Sequence, residues 1–410
     1  MAPRRAGPFA ARGPVARLLI ASAACGAVIA CGDVETTTSI DDAGNRGPDA
    51  GGGATADAAP VDPDAAGDVC ATWDPGLPFE PCDIPVGVRG GPLVLLQAGT
   101  YTYDTETDEL TSPGGTAVAH SSMTLETGGE VRLISTQRLV IAGGTTWRVT
   151  GTRPLVVIAW NAMEIAGTLN ASSKAGHGPG AGPPECANAQ IGGPGSSTMN
   201  GQGGGGGGGF GGRGGEGGSG GGEVNQGNGG SFVGGVSPLR GGCAGGDASG
   251  RSGTARGGQG GGALALGARL EIQLTGIINA GGAGGGGGEG GGGAGGGSGG
   301  MLWLDAPSIA LSATAVVAAS GGGGGAGSTA FSEGDDGEGA RPDGARAHGA
   351  PGDGAAGDGG DGSDLVPDGR IATPSSSAGG GGGGGGAGVI RVDGDLDAPS
   401  GATIVPFPVD

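Results

Sequence analysis

Long runs of glycine constrain this chain more than any other feature. Residues 201–222, 281–300, 321–325 and 379–386 are almost entirely glycine, which fills 110 of the 410 positions, about four times its usual share. Glycine has no side chain to bury, and it loses the most backbone freedom on ordering. Aromatic residues are scarce, with six Phe, four Trp and two Tyr. A length that would ordinarily suggest two or three domains therefore carries only a small apolar core. The tracts are expected to be loose loops around that core. The other arrangement open to them is mutual packing as polyproline II strands, which glycine permits because its backbone can be approached closely.

The formal net charge is −20, which argues against nucleic-acid binding, because that rests on Lys and Arg neutralising phosphates. The lone lysine is Lys174. At the N-terminus Arg4, Arg5, Arg12 and Arg17 precede an apolar run over residues 18–30, the proportions of an export signal. As a helix this run spans only ~20 Å, short of a bilayer core of about 30 Å. Val28-Ile29-Ala30-Cys31-Gly32 at its end resembles the lipobox of bacterial lipoproteins. That resemblance implies cleavage before Cys31 and acylation of Cys31, which anchors the protein to a membrane of the cell envelope. Residues 31–69 form an acidic spacer rich in Ala, Gly and Pro, with Asp33, Glu35, Asp41, Asp42, Asp49, Asp57, Asp62, Asp64 and Asp68 against the single Arg46. Low hydrophobicity and one-sided charge predict a disordered tether.

Four cysteines lie beyond the signal: Cys70, Cys82, Cys186 and Cys243. An even number in an exported chain implies disulfides. Pairing of sequence neighbours, Cys70–Cys82 and Cys186–Cys243, is expected over a zinc site, since no CxxC pair occurs and His120, His177 and His348 are scattered. Residues 70–130 are then a stapled N-terminal cap, and residues 131–405 the body.

The body repeats a unit. Leu155-Val156-Val157-Ile158-Ala159-Trp160 and residues 162–171 are echoed by residues 263–266 and 270–280, with matching ends Gly167-Thr168-Leu169-Asn170-Ala171 and Gly276-Ile277-Ile278-Asn279-Ala280. Further copies run through residues 301–319 and 388–393, and residues 131–149 look like the same unit with less glycine. Short β-branched strands turning at glycine corners predict an all-β body, a right-handed parallel β-helix-like solenoid in which each coil stacks on the last. The alternative is a β-sandwich built from the same strands. Because the tracts follow corresponding points of the unit, they are expected on one side of the body. They resemble the tracts of polyproline-bundle proteins, such as some phage adhesins and an insect antifreeze protein. The whole chain resembles glycine-rich surface lipoproteins of high-GC soil bacteria, a resemblance that brings no activity with it.

Gly359-Gly360-Asp361-Gly362-Ser363-Asp364-Leu365-Val366-Pro367 matches the calcium-binding nonapeptide, once only. By that match Asp361 and Asp364 are the candidate calcium ligands, against the plainer reading of a solvated acidic loop. Asp305 and Asp393 near strand ends, and Glu164 and Glu271 within strands, are carboxylates that a glycosidase would need in pairs, but nothing in the sequence pairs them. Trp147, Trp160 and Trp303 fall in strands and are expected in the core. Phe210 and Phe232, isolated among glycines, are expected to anchor their loops. The expectation is a lipid-anchored structural or adhesive protein without catalysis, whose partners are the membrane and extracellular matrix or polysaccharide. The alternative is a β-helical protein that binds or cleaves polysaccharide.

Overall fold

A computed structural model describes residues 73, 75–77, 79–173, 178–182, 186, 190–197, 201–233 and 237–409. They form an all-β protein with no α-helix, and no helix long and apolar enough to cross a membrane. A ten-stranded and a seven-stranded sheet make up the body. The larger sheet bends within its two longest strands, β16 (Met301–Leu311) and β18 (Val389–Asp397), so the strands fall into three parallel ladders.

The first ladder runs through β5 (Glu130–Thr136), β8 (Leu155–Ala159), β13 (Ala263–Ala268) and the leading halves of β16 and β18. The second contains β1 (Leu93–Leu95), β6 (Leu139–Ile141), β9 (Ala162–Ile165), β14 (Glu271–Leu274) and the trailing halves of β16 and β18. The third is β2 (Gly99–Asp104), β7 (Thr145–Thr150), β10 (Thr168–Asn170), β15 (Ile277–Asn279), β17 (Val316–Ala318) and β19 (Thr403–Val405). Every circuit of the chain after the first adds one strand to each ladder. The ladders begin at Leu93, upstream of the boundary at residue 131 that composition suggests. At the N-terminal end β3 (Glu109–Thr111) and β4 (Ser122–Glu126) pair antiparallel with β2 and β5.

Alternation along the strands gives each ladder an inward row. Ile134, Val157, Leu266, Leu304 and Val392 are in register on the first. Leu139, Met163, Ile272, Ile309 and Leu396 align on the second, and Tyr101, Trp147, Leu169, Ile278, Val317 and Ile404 on the third. These rows meet in one apolar core, each buried aliphatic contributing about 1.5–3 kcal/mol. The outer face of the first ladder is apolar too. Leu133, Val156, Ile158 and Trp303 are covered by the N-terminal segment through Trp73, Leu77 and Ile84, and by Phe210 and Leu239 from the glycine-rich region. Trp160 stacks edge-on to Trp73, with ring centres 5.4 Å apart, and the Arg89 guanidinium sits 4.1 Å above its ring.

The glycine tracts are not loose. Three insertions (171–262, 280–300 and 319–388) each leave after a third-ladder strand and return into a first-ladder strand. Their legs are buried against one another with a hydrogen-bond pattern of period three, the repeat of a polyproline II helix. In the leg at 203–209, Gly204 and Gly207 donate to Gly218 and Gly215. Gly205 and Gly208 donate to Gly293 and Gly296, and Gly203, Gly206 and Gly209 to Ser196, Gly193 and Gln190. Successive residues thus bond in three directions. The leg at 292–300 repeats the pattern, bonding residues 243–249, 380–386 and 280–286, as does 379–388 with 319–328, 202–208 and 367–373. A polyproline II strand bonds nothing within itself, so its N–H and C=O groups are all free for neighbours. This lateral bonding offsets the ordering cost that the sequence alone leaves unmatched.

Close approach makes the glycines necessary. A methyl group on Gly382 would lie 1.8 Å from the Ala294 carbonyl oxygen, whereas one on Gly286 meets nothing nearer than 3.2 Å. A disulfide joins Cys186 to Cys243, 57 residues apart, within this region. Closing such a loop contributes about 4 kcal/mol in the chain-entropy description. Cys82 is exposed, and its expected partner Cys70 lies outside the described residues, as does Cys31. Gly382→Ala is expected to cost about 3 kcal/mol in a urea titration by overpacking the bundle, and Gly286→Ala less than about 1 kcal/mol.

Candidate functional site

The calcium candidates Asp361 and Asp364 come together around an arginine. Asp364 forms a close ion pair with Arg346, whose guanidinium is also 3.7 Å from Asp361. Asp361 accepts the Gly349 N–H and Asp364 accepts the Val366 N–H. Burial works against the charged Asp364 carboxylate, but the Val366 N–H and the Arg346 charge outweigh it and hold its pKa below the usual range. The protein's own guanidinium already supplies the positive charge between these acids. Among the described residues, no group of three or more His, Cys, Asp or Glu converges as a metal site. Lys174 and His177 lie outside the described residues.

Of the scattered carboxylates, the fold pairs two. Asp305 and Asp393 are register neighbours on the first ladder, an adjacency invisible in sequence because 87 residues of insertion and strand lie between them. The Trp303 indole N–H donates to Asp393 at 2.7 Å, and Arg391 pairs with Asp393 at 3.0 Å while lying 4.3 Å above the Trp303 ring. Gly76 N–H donates to Asp305 at 2.5 Å. Trp303 and Asp305 are buried, so these groups clamp the N-terminal segment onto the last two circuits and do not line an open cleft. Glu164 pairs with Arg138 on the outer surface, and Glu271 lies two positions away across the same ladder.

Phe210 is fully buried beneath Arg240, 4.9 Å away, and anchors its leg as expected. Phe232 does not: it is 56% exposed. It lines an apolar groove of about 490 Å³ with Val233, Leu365, Pro367, Val389 and Phe407, where the bundle meets the last circuit. Val409 also lines it, bonding the edge of β18 through its N–H to Ile390. Contiguous exposed apolar residues of this kind mark contact surfaces.

A polar cluster that sequence reading misses sits at the other end. Asp108 has φ 61°, a left-handed conformation that Asp tolerates in tight turns. Its carboxylate accepts hydrogen bonds from the Tyr103 hydroxyl at 2.8 Å and the Ser122 hydroxyl at 2.6 Å. The His120 Nε2 lies 3.1 Å away and Arg132 3.6 Å. Burial opposes the charge on Asp108, yet the bonds from Ser122, His120 and Tyr103 and the charge of Arg132 keep its pKa low. Burial, then the bond to Asp108, pushes the Tyr103 hydroxyl up. The four partners come from three strands and a loop, and only the hairpin turn at Asp108 hints at them in sequence.

Comparison with protein-family models, with curated proteins and with solved structures finds no match.

Because its carboxyl pKa is lowered on folding, Asp108 stabilises the protein above the unfolded carboxyl value near 4 and loses that contribution as pH falls through the folded value. Asp108→Asn, which keeps the turn conformation accessible, should cost about 1–2 kcal/mol at pH 7. The difference in melting temperature from wild type should shrink below about pH 4.

Proposed function

We propose that this chain is a lipid-anchored protein of the bacterial cell envelope with a structural or adhesive role and no catalysis. Its body is read as a right-handed parallel β-helix-like solenoid carrying a side bundle of polyproline II legs. In this reading Cys31 is the anchor, and residues 31–69 hold the body off the membrane.

The observation that carries the proposal is the backbone-bonded bundle. It is a stiff body of little side-chain chemistry, built to hold surfaces apart and present them, and it carries an exposed apolar groove at its junction with the last circuit. Parallel register in all three ladders supports the solenoid over a sandwich, because hairpin-joined sandwich strands pair antiparallel. Polysaccharide is the extracellular partner class that suits an acidic surface if the polymer is uncharged. The cleaving alternative predicts new reducing ends or unsaturated products from a polysaccharide panel.

Cys31→Ser in the producing cell should move the protein from the membrane to the soluble fraction and abolish incorporation of labelled palmitate. Attachment of those cells to a surface should fall with it. Unchanged membrane retention overturns the anchor, and unchanged attachment after release overturns the adhesive role.

A further inference from the structure

The corner between the second and third ladders carries a second concavity, a trough of about 340 Å³. Its floor is Gly167 and Gly276, and threonines Thr146, Thr168, Thr275 and Thr314 line it. The floor must be glycine: a methyl group on Gly276 would lie 1.9 Å from the Gly167 carbonyl oxygen, and one on Gly167 would lie 2.3 Å from that of Thr145. The chain therefore has to pass low at this corner, leaving the neighbouring outward side chains as walls.

Register fixes the walls. Thr100, Thr146, Thr168, Ile277, Val316 and Thr403 occupy one outward position on six successive strands of the third ladder. All six are β-branched, so each holds a narrow set of rotamers and the row is stiff before anything binds. The rungs repeat every 4.7–4.9 Å, roughly the spacing of paired strands. On the opposite wall Thr275 and Thr314 stand on adjacent circuits, where Thr314 is braced by the Ser312 hydroxyl at 3.1 Å. Among the described residues the hydroxyls of Thr146, Thr168 and Thr275 have no hydrogen-bond partner in the protein. No ionisable side chain lines the trough. Arg148, the next outward residue on β7, is turned onto Asn170 and Ser172.

We infer that this trough binds a neutral polysaccharide in extended form, lying across the circuits, one pyranose residue to each rung. The inference rests on the adhesive reading and names its ligand. The advance per rung is close to that of one residue in an extended β-linked chain. Threonine hydroxyls meet sugar hydroxyls, and threonine methyls with Ile277 meet the C–H faces. A lining without charge, in a chain of net charge −20, complements a neutral polymer and disfavours uronates through the surrounding field. Each rung contributes little, so affinity accumulates along the chain and rises with oligomer length.

The test uses the full chain in calorimetric titrations with cellobiose, cellohexaose and hexameric polygalacturonate. Cellohexaose is expected to bind, cellobiose at least about tenfold more weakly, and polygalacturonate not at all. The double substitution Thr146→Ala/Thr168→Ala should weaken cellohexaose binding about tenfold, as two lost hydroxyl bonds predict. Thr403→Ala, on the same row but outside the trough, should leave it unchanged, and the double variant should keep the wild-type far-UV circular dichroism spectrum, which excludes loss of the fold as the cause. Equal binding of polygalacturonate, an unaffected double variant, or no binding of cellohexaose overturns the inference. Cells carrying the double variant that still attach, while Cys31→Ser cells do not, place the failure in the trough and leave the adhesive reading standing.

Discussion

Three glycine legs, one from each insertion, bond to one another in a ring. Gly205 and Gly208 donate to residues 293 and 296, Gly293, Gly296 and Gly299 donate to 380, 383 and 386, and Gly380, Gly383 and Gly386 donate back to 202, 205 and 208. The ring closes only if the three legs keep a fixed register, and the legs at 292–300 and 379–388 run directly into the first-ladder strands β16 and β18. The backbone lattice and the aliphatic rows therefore set one another's alignment. Neither is self-sufficient, since legs without ladders lose the main apolar core and ladders without legs lose Phe210 and Leu239 from the outer face of the first ladder.

The N-terminal segment adds a second long-range constraint. Gly76 meets Asp305 on the fifth circuit, Leu77 lies against Gly267 on the fourth, Arg89 covers Trp160 on the third, and Gly90 bridges to Thr136 on the second. Stacked repeats ordinarily couple only to their neighbours. Here one strap runs back along the stack and ties the last circuits to the first, so loosening at one end is felt at the other. The Asp305, Asp393, Arg391 and Trp303 clamp is the polar end of that strap.

Much of the strand pattern was legible in the sequence because alternation and β-branching are local properties. The matching ends at Asn170 and Asn279 do stack in register, and Trp147, Trp160 and Trp303 are buried. The glycine tracts are ordered where the sequence suggests loose loops, for an equally physical reason. A residue with no side chain carries no pattern, so nothing in a tract says which carbonyl its N–H will meet. Side-chain meetings across insertions were hidden as well: Asp305 with Asp393, Arg346 between Asp361 and Asp364, and the partners of Asp108 are set by register. Phe210 is buried and Phe232 exposed although both sit among glycines, and a glycine tract has no side-chain pattern by which to tell them apart.

All three insertions open at the same seam, after a third-ladder strand and before a first-ladder one. Legs added at that seam alter the girth of the lattice while the aliphatic stack keeps its register and its length. Length variation confined to this seam would change the protein's flank and leave the neighbouring rows of aliphatic side chains in place.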